Sequence, residues 1–266
     1  MKKFLCRFEY KLQTHTTMEN FNELEPVGKV PGKDSGSIIS HAFDLYKGIF
    51  IYPMVAGLLF FIAVGIVASI TGLSAMFMEM GQSSESMGSY DPERYNEIYR
   101  STPFLAFMGG FSILNILLFS PLIIGTIYIA HKKNLNQHID FSDLFIGYKQ
   151  NFVNIVIFGL IFSIVAMICT NLCYIPAIFV MPFLFLGYPF LLFQNASAID
   201  ALKSSFEIVK NNYGDFLLLN LLAYLCSALG IVACCIGIIV TYMFYYSTMY
   251  SAYCAYVALP RQLDQN

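Results

Sequence analysis

The sequence predicts an all-α integral membrane protein with six transmembrane helices. Three observations predict it. The first is composition: 57% of the 266 residues are apolar and 12% are charged, against roughly 25% charged in soluble domains. The second is charge spacing. No Asp, Glu, Lys or Arg falls between residues 48 and 78, 101 and 130, 150 and 199, or 216 and 260. A spanning helix needs about 20 apolar residues, so the first two gaps hold one span each and the last two hold a hairpin each. The third is that Lys and Arg sort to one side once those spans are drawn. The same facts exclude a soluble enzyme, a secreted disulfide scaffold and an outer-membrane barrel, whose strands are about 10 residues of alternating character. A net charge of −2 gives no electrostatic footprint for nucleic acid.

In chain order, residues 1–35 carry Lys2, Lys3, Arg7 and Lys11 with no apolar core of a signal peptide. They are expected to be a disordered cytoplasmic extension, with Met18 a second plausible start. One membrane domain then runs over 36–260, with spans at about 50–76, 104–128, 152–172, 176–194, 216–234 and 239–258. Pro121 with Gly125 predicts a kink in the second span. Pro176, Pro182 and Pro189 with Gly187 predict a broken fourth span, because proline removes a helix hydrogen bond. In the loop at 79–103, Asp91 and Pro92 suit the cap and first position of a short helix. That loop holds only Arg94 and Arg100. Thirteen of the fifteen basic residues fall on the other face, in the N-terminal segment, the 131–150 and 195–215 loops and the 261–266 tail. The positive-inside rule makes that face cytoplasmic, with both termini inside and the hairpin tips near 173–176 and 234–238 outside.

Three windows align without a gap: 39–59, 141–161 and 202–222. Each opens with apolar residues spaced as on one helix face: Ile39, Ala42, Phe43, Tyr46; Phe141, Leu144, Phe145, Tyr148; Leu202, Ser205, Phe206, Val209. Only Ser205 breaks the stripe. Phe recurs at Phe43, Phe145 and Phe206, Lys at Lys47, Lys149 and Lys210, and an aromatic at Phe50, Phe152 and Tyr213. Each copy predicts a short amphipathic helix lying in the membrane interface before spans 1, 3 and 5, anchored by its Phe and Lys, followed by a belt aromatic and a span.

The run NASAIDALKSSFEIVKNNYGDFLLLN, from Asn195, resembles a pattern in bacterial integral membrane proteins of unknown function. Those proteins are similar to the membrane domain attached to some glycerophosphodiester phosphodiesterases. The opening SGSIISHAFDLYKGIF, from Ser35, resembles the start of flavobacterial relatives, some of which carry a beta-carotene 15,15'-monooxygenase label. The resemblance implies the cytoplasmic (inner) membrane of a bacterium. The phosphodiesterase barrel with its acidic metal ligands has no counterpart here, so that activity does not carry over.

The monooxygenase label asks for iron held by histidine. His15, His41, His131 and His138 are the four available. His131 and His138 fall beside Lys132 and Lys133, which repel a cation, and read as solvated loop residues. No metal, cofactor or catalytic residue is expected. The seven Cys follow no zinc or disulfide-framework spacing and read as small packing residues. No ionisable group is expected at membrane depth, which weighs against proton coupling. Tyr242, Tyr246, Tyr250 and Tyr253 share a face of the sixth span and predict a polar seam, with Asn115, Asn154, Asn220, Ser247 and Ser251 as expected partners across the bundle. The expected function is a non-enzymatic one, organising the bilayer or binding membrane lipid or partner proteins. A permease for a small neutral molecule is the alternative, and a membrane oxidoreductase is the third.

Overall fold

The computed structural model describes residues 28–82, 92–172, 175–231 and 241–257. The expectations for residues 1–27, the 261–266 tail, the hairpin tips at 173–174 and 234–238, the Asp91 cap, and Cys6, Cys173, Cys234 and Cys235 lie outside the described residues.

Among the described residues every regular element is helical. They are α1 (Ser35–Lys47), α2 (Ile51–Ile70), α3 (Leu73–Gln82), α4 (Pro92–Arg100), α5 (Thr102–Asn134), a 3-10 turn (Phe141–Phe145) running into α6 (Ile146–Lys149), α7 (Phe152–Asn171), α8 (Ile175–Phe193), α9 (Ala198–Asn211), α10 (Tyr213–Ala228) and α11 (Phe244–Tyr256). Four of them, α2, α5, α7 and α8, are long and apolar enough to cross a membrane. α10 has 16 described residues and α11 has 13, against the roughly 20 a span needs, so the described residues show four helices of spanning length and leave the count of six to the hairpin argument below. The first span ends early. Thr71 caps α2, and Gly72 at φ +77 turns the chain into α3. The second runs past the expected 128 to Asn134, ending in Lys132 and Lys133, where cations favour the negative end of the helix dipole. It also carries a π-helical stretch, Asn115–Phe119, just before Pro121.

The three amphipathic segments form where expected, each from its own capping chemistry. The Asp34 carboxylate accepts the Ser37 N–H at 2.8 Å, and the Ser197 hydroxyl accepts the Asp200 N–H at 3.2 Å. Asp140 and Asp143 form a capping box, but it starts a 3-10 turn instead of a full α-helix. Residues 28–34, within the segment expected to be disordered, are tied to the bundle. The Lys29 N–H donates to Asn134 Oδ1 and the Asn134 amide donates back to the Lys29 carbonyl, both at 2.9 Å.

The helices sort into two layers. α2, α7 and α10 lie outside, showing Leu58, Phe61, Ile62 and Ile66, then Val153, Ile157, Leu160 and Ile164, then Leu218, Leu221 and Leu225. A helix that is apolar all round needs lipid where it is not covered by protein. The return segments Ser120–Asn134 of α5, Gly187–Phe193 of α8, and α11 lie inside and touch one another pairwise. Each outer helix and its return segment are joined at one end. The Tyr52 hydroxyl donates to the Ile139 carbonyl at 3.3 Å, the Asn151 amide donates to the Leu191 and Ala196 carbonyls at 3.1 and 2.8 Å, and the Tyr256 hydroxyl lies 3.3 Å from an Asp215 carboxylate oxygen. All three hairpins therefore start and finish at the same end of the bundle.

The repeat closes on itself. The 3-10 turn and α6 pack on α5, α9 packs on α8, and α1 packs on α11, so each amphipathic segment sits on the return segment before it and the first sits on the last. Burial keeps phase across the copies: Ala42, Leu144 and Ser205 are fully buried, as are Ala56, Phe158 and Leu219. At the α5 contact the approach is close enough to require glycine. A Cβ on Gly125 would overlap the Leu144 carbonyl, and one on Gly147 would overlap the Pro121 carbonyl.

Candidate functional site

The six anchor positions stand together at the end of the bundle that carries the amphipathic segments. Phe43, Phe145 and Phe206 are 52%, 40% and 48% exposed, and Lys47, Lys149 and Lys210 are all exposed. Each Phe leans one side of its ring on the bundle. Phe43 meets Phe244 edge-on at 6.1 Å, Phe145 lies 6.2 Å from Tyr148, and Phe206 stacks on Phe183 at 4.8 Å. The Lys47 ammonium sits 4.4 Å over the Phe43 ring. Part of each apolar stripe turns inward: Ala42 and Tyr46, Leu144, and Ser205 with Val209 are buried, while Phe141 at the start of the second stripe is exposed. Ser205, the odd residue of its stripe, has a use there. Its hydroxyl donates to the Phe183 carbonyl at 2.6 Å and accepts the Leu186 N–H at 3.2 Å, groups set free by the 3-10 stretch Met181–Leu184 that breaks α8.

The tyrosine seam runs along α11 between α5 and α8. Tyr246, Tyr250 and Tyr253 are buried, while Tyr242 at its far end is 48% exposed. Their partners are mostly not the expected ones. Tyr242 and Tyr246 pair with each other at 3.5 Å, the Asn134 amide donates to the Tyr250 hydroxyl at 3.0 Å, and the Gln194 amide donates to that of Tyr253 at 3.1 Å. Asn220 instead accepts from the Tyr245 hydroxyl at 2.7 Å, Asn154 accepts the Ala198 N–H at 3.2 Å, and Ser251 lies 2.9 Å from His41 Nδ1. The Ser247 hydroxyl has no partner among the described residues.

His131 corrects the loop expectation. It lies inside α5 at 1% exposure, its Nδ1 is 3.2 Å from the Tyr250 hydroxyl, and its Nε2 is buried with no partner among the described residues. His138 remains at the surface, paired with Asp140 at 3.2 Å. His41 is half-buried, and its Nε2 is 3.4 Å from Asn134 Oδ1. Burial lowers its pKa, and the Asn134 contact and the charge of Asp44 oppose that only in part. One node at the end of the bundle that carries the amphipathic segments thus links α1, α5 and α11 through His41, His131, Asn134, Tyr250 and Ser251. Sequence reasoning missed it because Lys132–Lys133 looks like a membrane boundary. Lys132 instead folds back onto Asp143 of the 3-10 turn, at 2.9 and 2.8 Å.

Further along the seam a cavity of about 40 Å³ opens between α5, α7, α8 and α11. Its polar lining is Asn115, Ser120, Ser163, Tyr188, Tyr242 and Tyr246. No group of three or more His, Cys, Asp or Glu among the described residues is placed to hold a metal ion. No protein-family model, curated protein or solved structure matches the chain.

Proposed function

We propose that this chain is a six-span, non-enzymatic protein of the bacterial cytoplasmic membrane, both termini inside, that binds membrane lipid through a ring of three amphipathic segments. The observation that carries this reading is the set of three equivalent Phe–Lys positions, all exposed at one end of a closed bundle. An aromatic ring beside a basic head suits the level where acyl chains meet lipid headgroups. The count of six is supported by the third hairpin: α10 begins and α11 ends beside each other at Asp215 and Tyr256, as expected of an out-and-back pair like the other two.

Two measurements test this. A reporter active only outside the cytoplasm, fused after Tyr90, is active, while fusions after Gln137 and Asn211 are silent; activity at Gln137 rejects the six-span topology. A spin label at position 206 shows lipid contact and one at 203 shows water. Burying a Phe side chain in an apolar medium is worth about 1.5–3 kcal/mol, so Phe43→Asp, Phe145→Asp and Phe206→Asp each lower folded yield in the membrane, whereas Glu207→Lys leaves it unchanged. Equal water exposure at 203 and 206 rejects the anchoring ring.

A further inference from the structure

The cavity along the seam has a hydrogen-bonding inventory that is uneven in a specific way. Ser120 donates to the Asn115 carbonyl at 3.1 Å, so at its 3.3 Å contact with Tyr188 the phenol is the donor and the Tyr188 oxygen keeps a free lone pair. Tyr242 and Tyr246 face each other at 3.5 Å and have no other hydrogen-bond partner among the described residues. Two phenols sharing one contact use one O–H and leave the other over. Asn115 spends one amide hydrogen on the Phe111 carbonyl at 3.4 Å and its other groups remain. The cavity thus offers at least one unused donor and several unused acceptors, with no charged side chain in its lining. Its wall includes the π-helical stretch Asn115–Phe119, a distortion that occurs often at functional sites.

Position and size restrict the occupant. The lining falls midway along α5 and α7, and exposed Tyr242 with half-buried Phe162 and Ser163 leaves it open toward the outer layer. A charged headgroup at such depth is costly. A space of about 40 Å³ holds a few heavy atoms, against about 10–15 Å³ for one water. The geometry points to a lateral binding site for the uncharged end of a membrane-dissolved lipid, a hydroxyl or carbonyl entering from the bilayer between α7 and the start of α11. This inference rests on the membrane reading of the chain and is independent of the anchoring ring.

The chain contains no Trp, so Phe162→Trp gives a single reporter at the rim, where the Phe162 ring lies 6.2 Å from that of Tyr188. The full chain bearing this change is placed in phosphatidylcholine vesicles and titrated with bromine-labelled diacylglycerol, with a short-chain ubiquinone, and with bromine-labelled phosphatidylcholine. Saturable quenching by diacylglycerol or the quinone is expected, and which of them saturates assigns a hydroxyl or a carbonyl source. Adding Tyr242→Phe and Tyr246→Phe, which keep the ring volume, weakens that binding about threefold to tenfold, as losing one neutral hydrogen bond predicts. Quenching that never saturates, saturation by phosphatidylcholine at the same concentration, or binding unchanged in the double Phe variant overturns the site. Protein that floats with the vesicles yet is not quenched overturns the cavity alone; protein that does not float overturns the membrane reading with it.

Discussion

His41 joins α1 to α5 and α11, two of the three inner elements, through Asn134 and Ser251. Burial holds its pKa below the usual 6.5, because desolvation disfavours the charged ring. Asn134, Asp44 and the Lys29 backbone favour the charged form, and the Lys29 charge disfavours it. A base depressed in the fold stays neutral while the unfolded chain takes up a proton, so its contribution is complete above 6.5 and declines as pH drops below that value. Thermal unfolding in detergent between pH 7.5 and pH 5 is expected to shift downward, and the shift shrinks in His41→Gln, which keeps a hydrogen-bonding side chain without the titration. An identical pH dependence in the variant rejects the assignment to His41. None of this was legible in the sequence, where His41 has the look of a polar residue on a surface helix. Ring nitrogens find their partners through tertiary contacts more than two hundred residues apart in the case of Ser251.

At the scale of elements, the amphipathic segments were readable and their internal division was not. The stripe pattern marks apolar positions, but it cannot tell an edge that faces lipid from one that faces protein, since both favour the same side chains. Ser205 shows the difference. By pattern it is a flaw, and Ser205→Ala would complete the stripe. In the structure its hydroxyl serves the Phe183 carbonyl and the Leu186 N–H where α8 breaks. Ser205→Ala is therefore expected to destabilise by about 1–3 kcal/mol, the cost of leaving a buried backbone group unpaired, read as a lower unfolding midpoint in detergent. A neutral or stabilising result would mean that α8 repairs its own break. The proline spacing did announce that break, because Pro182 and Pro189 each lack an N–H. The same limit explains the seam: its face was legible from the spacing of four tyrosines, while its partners depended on which helices became neighbours.

For the whole molecule, in-phase windows revealed three equivalent units, but not that they close into a ring. Which spans sit at the centre is hidden from composition, since lipid and a protein core are alike apolar. Closure makes the order of the units interchangeable at the ends of the described fold, where the Tyr256 hydroxyl donates to the Lys33 carbonyl at 2.7 Å. A circular permutant that links residue 257 to residue 28 and opens the chain between Asn195 and Ala196 keeps three out-and-back hairpins. It is expected to insert and to unfold at a midpoint close to that of the parent. Failure to insert, with the unpermuted chain inserting under the same conditions, would show that the third unit cannot lead.

The closing contact of α1 on α11 also imposes a schedule. α1 ends at Lys47 and its partner begins at Phe244. At roughly 5–20 residues per second of synthesis the interval between them is on the order of 10–40 s. Through that interval Ile38, Ala42, Leu45 and Tyr46, all four buried in the finished fold, lack the helix that packs most extensively on α1, with α5 and α10 supplying the lesser contacts as they are made. The surface of the bilayer is the apolar phase within reach of a nascent chain whose next segment, α2, is entering it. Lipid is then the first partner of that face and α11 the last, and assembly is completed when a protein helix displaces the membrane from the first of the described helices to be made.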